Sequence, residues 1–90
     1  MNRYQLTYTT QARRDLERLD KSIALRIVFK IKENSELSNP LVRATALAGR
    51  LAGRYRYRIG DYRAVFRCDN NGDIIILTIL RIKHRREVYD

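Results

Sequence analysis

Cysteine is almost absent from this chain. Cys68 stands alone among 90 residues, which excludes an internal disulfide, and no Cys/His spacing suggests zinc. A reducing, cytoplasmic setting is expected. Cys68 falls on the apolar side of its segment, where a plain core thiol is expected in place of a nucleophile. Histidine is as scarce, with His84 its one instance. The ten acids are scattered and form no paired cluster, so neither a metal site nor a cofactor is expected. No apolar run is long enough to span a membrane, and Met1 to Tyr8 lacks the apolar segment of a signal peptide. Linkers, internal repeats and low-complexity tracts are lacking too. Residues 1–90 are therefore expected to form one domain with a small core.

What the chain does have is positive charge. Nineteen Lys and Arg against ten Asp and Glu give a net charge of +9. The excess is spread along the sequence, so only folding can concentrate it. Such a balance suits a nucleic acid, an anionic membrane surface or an acidic protein partner.

Taken in order, Tyr4 to Tyr8 alternates as a short strand, and Thr9 and Thr10 offer a helix N-cap. Gln11 to Leu19 carries Ala12, Leu16 and Leu19 at helical spacing. Asp15 and Glu17 fall in its first turns, where the helix dipole favours acids. Asp20-Lys21-Ser22 marks a break and a second cap. From Ile23 to about Leu37, Ile23, Ile27 and Ile31 form one stripe, while Leu25 and Phe29 lie on another side. These two are expected to pack on the preceding helix, as helices joined by short loops usually pair. The alternative is a cover from outside the domain. Ser38-Asn39-Pro40 ends the helix. Leu41 to Leu51 reads as a loop with a short extended piece. Asp69-Asn70-Asn71-Gly72-Asp73 is a hairpin turn signal, and Ile74 to Ile82 reads as a strand buried on both faces.

Between them lies the stretch that organises the chain, Gly53 to Arg67. At strand period, Arg54, Arg56 and Arg58 share one face, and Tyr55, Tyr57 and Ile59 the other. Gly60-Asp61 supplies a tight turn. The next strand repeats the pattern, with Arg63, Val65 and Arg67 opposite Tyr62, Ala64, Phe66 and Cys68. The expected fold is α+β: an N-terminal strand and two antiparallel helices packed on a mostly antiparallel four-stranded sheet. The aromatic face lies under the helices and the arginine face is open. Guanidinium groups match phosphate geometry, and a face this cationic calls for an anionic ligand, most simply a nucleic-acid backbone. A solvated face that blocks edge pairing is the plainer alternative.

Basic residues return at the end of the chain. Lys83, His84, Arg85 and Tyr89 follow the third strand of the meander and are expected near Arg56, Arg58 and Arg63. Metal-free RNA cleavage needs a base for the ribose 2′-hydroxyl, cations around the phosphorus and an acid for the leaving 5′-oxygen. Arginines supply the cations. His84 has the ordinary pKa for proton transfer near neutrality. Tyr89 offers a phenol and a ring for stacking. Arg54, Arg67, Arg81, Lys83 and Arg86 are the remaining candidates for RNA contact.

The run Tyr55-Arg56-Tyr57-Arg58-Ile59-Gly60-Asp61-Tyr62-Arg63-Ala64-Val65-Phe66, with His84-Arg85-Arg86-Glu87-Val88-Tyr89, resembles the RelE/ParE superfamily of bacterial toxins. Tyr4, Ala12, Leu16, Leu19, Pro40 and Leu47 extend the resemblance over nearly the whole chain. It implies a compact α/β toxin silenced by an antitoxin encoded beside it, RelB-like and acidic or with an acidic segment. RelE-like members cut messenger RNA in the ribosomal A site, and ParE-like members poison DNA gyrase without nuclease activity. The basic residues at 56, 58, 63 and 83–85 and the closing Tyr89 resemble the RelE branch. That implies catalytic roles for Arg56, Arg58, Arg63, His84, Arg85 and Tyr89, no cofactor, and the ribosome and mRNA as partners. One departure stands out. RelE-like chains carry lysines where this one has Arg56 and Arg58, and arginine scarcely deprotonates. The base is then His84, or Tyr89 made acidic by its cationic neighbours. The general acid matches Lys83 or Arg85.

Overall fold

Thr9 turns the chain from strand to helix. Its hydroxyl accepts the Ala12 N–H at 3.0 Å, as an N-cap should. The computed structural model describes residues 3–87. β1 (Arg3–Tyr8) is followed by α1 (Thr10–Glu17), α2 (Lys21–Ser35), β2 (Ala44–Ala46), a 3-10 turn at Gly49–Leu51, β3 (Arg54–Ile59), β4 (Tyr62–Asn71) and β5 (Ile74–His84). The strands form one sheet in the order β1-β5-β4-β3-β2, with β1 parallel to β5 and every other pair antiparallel.

The sheet thus has five strands, not four. The added one is β2, which pairs Ala44, Thr45 and Ala46 with Tyr57, Arg56 and Tyr55. Three residues are too few to show an alternating pattern, which is why this segment reads as a loop. The β4–β5 turn is also tighter than expected. β4 runs through Asn71, and Gly72, at φ +65°, opens the turn in a conformation that side chains rarely adopt.

Both helices cover the same sheet face. Ala12, Ile27 and Ile31 meet Tyr57, Ile59, Ala64, Phe66, Leu77, Ile79 and Ile82 in one core. Tyr57 and Phe66 stack with centroids 4.4 Å apart. Each large side chain so buried contributes about 1.5–3 kcal/mol. The Tyr57 hydroxyl donates to the Pro40 carbonyl at 2.6 Å, tying the segment after α2 to the middle of β3. Burial pushes this phenol well above its ordinary pKa. Half-buried Cys68 lies on the same face, its thiol pushed up by burial, in keeping with a core role.

Three expectations are corrected. Leu25 and Phe29 do not pack on α1; they are 59% and 72% exposed. They stand on the side of α2 opposite Ile27 and Ile31, which face the sheet. Second, β5 is not buried on both faces. Leu77, Ile79 and Ile82 are buried, whereas Ile74, Ile76 and Thr78 on the other side are half-buried, because no helix covers that face. An apolar run does not itself reveal how many sides are covered. Third, Asp15 and Glu17 do not fall in the first turn of α1: Glu17 ends the helix, and Asp15 is a buried group bonded to β5, described below.

β5 also breaks its own alternation. Phe66 pairs with Ile79 and Val65 with Arg81, leaving Leu80 as an extra residue. Such a bulge exchanges the faces of all that follows. Ile82 and His84 therefore join the helix side, and Arg81 and Lys83 the arginine side.

Candidate nucleic-acid interface

Regular alternation in β3 and β4 gathers the arginines. Arg54 sits opposite Arg67, Arg58 opposite Arg63, and Arg63 in turn opposite Lys83. Like charges directly opposite one another on a sheet are destabilising. The face keeps them nonetheless. At its centre is Val65, 4% exposed although it lies outside the core cluster, between Arg56 and Arg81 on the neighbouring strands. Long arginine stems of this kind shelter apolar surface while their heads stay wet.

The cations of this face differ in their partners. Arg54 and Arg58 are exposed. Arg56 and Arg63 are half-buried, and the Nε of each is out of contact with solvent and, among the described residues, has no acceptor. A buried donor left unsatisfied costs about 1–3 kcal/mol. Arg67 pairs with Asp69 at 3.0 Å, both exposed. Lys83 Nζ lies 3.2 Å from a Glu87 carboxylate oxygen. The other Glu87 oxygen accepts the His84 N–H at 3.0 Å. That backbone bond first, then Lys83, holds the Glu87 carboxyl below its usual range despite some loss of water.

Arg81 is engaged most firmly. Its Nε and Nη2 donate to Asp15 at 2.8 and 3.2 Å, and Asp15 also accepts the Ile82 N–H at 2.9 Å. β1 ends at Tyr8, opposite Ile79, so the edge of β5 beyond it has no strand beside it. Side chains take its place: the Thr9 hydroxyl donates to the Leu80 carbonyl at 3.0 Å, Asp15 takes Ile82 and Glu87 takes His84. Burial alone would raise the Asp15 pKa. The Arg81 guanidinium and the Ile82 N–H outweigh it and hold the carboxyl below its usual range. Asp15 was missed in the sequence because its partners lie 66 and 67 positions away.

The C-terminal candidates divide. His84 lies on the helix side, its ring edge-on to Tyr62 at 5.1 Å, and its Nδ1 accepts the Arg86 N–H at 3.1 Å. It lines a cleft with Asp15, Arg18, Arg81 and Glu87, on the other side of the sheet from Arg56, Arg58 and Arg63. Arg85 is brought to the β3–β4 turn: its N–H donates to the Asp61 carbonyl at 2.7 Å and its Nε lies 3.6 Å from the Asp61 carboxylate. Arg86 is exposed in the turn after β5. Tyr89 lies outside the described residues. Arg54, Arg56, Arg58, Arg63, Arg67 and Lys83 thus share one open face, with Arg81 at its edge and Arg85 at its end. Among the described residues, no three of His, Cys, Asp and Glu gather as a metal-ligand group.

Comparison with known proteins places this architecture. The family model described as the ParE toxin of the type II toxin-antitoxin system parDE matches residues 6–89. The toxin RelG of Mycobacterium tuberculosis is 36% identical over 87 residues, which cover 96% of this chain and 95% of that one. A chain in the crystal structure of the toxin-antitoxin complex RelBE2 from the same organism superposes with a TM-score of 0.75 at 33% identity, covering 97% of each. The archaeal RelE–RelB complex from Pyrococcus horikoshii gives 0.66 at 25% identity, covering 94% of this chain and 98% of that one.

Proposed function

The chain belongs to the ParE toxin family and is a type II toxin of the RelE/ParE superfamily, and from that premise we propose that it is a metal-independent endoribonuclease that cuts messenger RNA in the ribosomal A site and so inhibits translation. The observation that carries the reading is the arginine face, above all the two buried Nε donors of Arg56 and Arg63 that lack an acceptor. An RNA phosphate would satisfy both. In the reaction the ribose 2′-hydroxyl loses its proton and attacks the adjacent phosphorus. A 2′,3′-cyclic phosphate forms as the bond to the 5′-oxygen breaks, and that oxygen takes up a proton. Arg56, Arg58 and Arg63 bind the phosphate and stabilise the charge that builds on it. Arg85, with Lys83, assists at the leaving oxygen. Arg54, Arg67 and Arg86 hold flanking phosphates.

Proton transfer is the role with fewest candidates. His84 lies on the helix side, in a cleft with Arg18 and Arg81 and across the sheet from Arg56, Arg58 and Arg63, so this reading gives the proton to Tyr89, since nearby cations make a phenol ionise more readily. The partners are the ribosome, mRNA and, by likeness to complexes that pair such a toxin with RelB-type antitoxins, an acidic antitoxin, all in the cytoplasm.

One observation favours a second reading: the matching family is described by ParE, and ParE-like members poison DNA gyrase. Purified protein added to ribosomes translating a defined mRNA tests both. The expected result is a break in the message at the A site, read by primer extension. Intact message together with inhibited gyrase supercoiling would overturn the nuclease reading in favour of the second.

A further inference from the structure

Three cations form a row across the sheet. Arg58 on β3 lies opposite Arg63 on β4, and Arg63 lies opposite Lys83 on β5. Neighbouring strands are about 4.8 Å apart, so the row spans about 10 Å with Arg63 in the middle. Like charges so placed repel one another. At the β5 end the turn after the strand supplies a countercharge. Lys83 Nζ lies 3.2 Å from Glu87 Oε2. The Lys83 side chain is only 20% exposed, so its ammonium has little room to swing away.

Glu87 is itself fixed by the backbone. Its N–H donates to the His84 carbonyl at 2.9 Å, and its Oε1 accepts the His84 N–H at 3.0 Å. The turn thus closes twice on one residue, and the second carboxylate oxygen remains for Lys83. Arg85, the other cation offered to the leaving oxygen, is held less closely. Its Nε stands 3.6 Å from the Asp61 carboxylate, and its side chain is 57% exposed. A long exposed side chain keeps most of its rotamer freedom, whereas one held by a fixed acceptor has already lost it. Of the two candidates, Lys83 is the one whose place is set before RNA arrives.

We propose that Glu87 is a positioning residue, which holds Lys83 as the proton donor to the leaving 5′-oxygen. The inference rests on the nuclease reading above. With Arg63 at the phosphate, Lys83 stands one strand further along the row, where an apical oxygen of that phosphate would lie. As the bond from phosphorus to the 5′-oxygen breaks, its electron pair stays on the oxygen. The Lys83 ammonium gives that oxygen a proton and ends as the neutral amine. Glu87 transfers no proton; it acts through Lys83, by holding the donor in a geometry from which small displacements are costly.

Glu87→Gln breaks this link selectively. The amide oxygen can still accept the His84 N–H, whereas the amide nitrogen is a donor and cannot accept from the ammonium. Single-turnover cleavage on ribosomes is measured with a normal message and with one whose scissile 5′-oxygen is replaced by sulfur, which leaves as a thiolate and needs no proton. On the normal message the variant is expected to lose about 10²-fold in saturating rate, with half-saturation within about 3-fold of wild type. Its melting temperature should be unchanged. On the sulfur message it should match the wild-type protein, whereas Arg63→Ala should stay slow on both. In a Lys83→Ala background, Glu87→Gln should cost nothing further. A wild-type rate on the normal message would overturn the proposal. So would an equal loss on both messages, which makes Glu87 structural, or a further loss in the Lys83→Ala background, which gives it a role of its own. No cleavage of either message by the wild-type protein rejects the nuclease reading and the proposal with it. Equal cleavage of the normal message by wild type and variant rejects the proposal alone.

Discussion

Arg63 and Arg81 stand on neighbouring strands of the same sheet face, yet they live in different surroundings. Arg81 reaches round the edge of β5 to a carboxylate that is only 8% exposed, and makes two hydrogen bonds there. Arg63 has a buried Nε with no acceptor and cations on both neighbouring strands, Arg58 and Lys83. The first arginine completes the fold. The second is held in an unfavourable arrangement that a bound anion would relieve. Sequence alone puts both in one basic cluster, and it is the presence or absence of a partner that separates structural from ligand-binding charge.

Exchanging single side chains should break this contrast from either end. Arg63→Ala is expected to have the largest effect, lowering message cleavage about 10²–10³-fold, the usual loss for one transition-state donor. Its melting temperature should hold or rise, since a cation flanked by cations is removed. A marked fall in melting temperature would make Arg63 structural and dissolve the distinction.

Asp15→Asn should do the reverse. It weakens the cap on the Ile82 N–H and is expected to cost about 1–3 kcal/mol of stability. Arg81, whose side chain is 37% exposed, can regain water. Cleavage per folded molecule should stay near wild type. The cost should also depend on pH. The folded-state pKa of Asp15 is depressed, so its stabilisation is fully present above the unfolded value of about 3.9 and is lost as pH falls through the folded value. Urea melts of the two proteins should therefore differ at pH 7 and converge in acid. A constant gap would show that the carboxylate charge plays no part.

Smaller effects sharpen the comparison. Arg54→Ala, at an exposed position, should weaken RNA binding and reduce the slope of log affinity against log salt by about 1. The slope should be unaltered in Asp15→Asn. Least of all is expected from His84→Gln, which should cleave within about 3-fold of wild type, well short of the 10²–10⁴-fold loss of a general acid or base. A loss of that size would return the proton to the imidazole despite its place on the helix side.

How far the sequence reaches can be seen residue by residue. The alternation of Arg54 to Ile59, the Gly60 turn and the Thr9 cap were readable because each depends on neighbours in the chain. β2 was not, as three residues without contrast signal nothing until Tyr55–Tyr57 pair with them. Asp15 read as a dipole acid because its true partners come from the far end of the chain. Leu25 and Phe29 read as core because helices with apolar sides usually pair, and the sequence holds no record of how α1 turns away. His84 reads as a neighbour of the arginines because it follows the third strand of the meander, and nothing local to Leu80 signals the bulge that carries His84 to the helix side.

That bulge makes the end of β5 a matter of parity. On a strand that shows one set of side chains to a core and the other to a ligand, position counts as odd or even, and Leu80 is where the count changes. Were Leu80 paired in the regular way opposite Val65, the ending would reverse: Arg81 and Lys83 would turn under the helices, and Ile82 and His84 would turn out among the arginines. Asp15 would lose the guanidinium it binds. The chemistry at the end of this strand is therefore specified by one irregular pairing as much as by side-chain identity, and a chain without Leu80, which alternates simply, should keep every later residue on the face it now has.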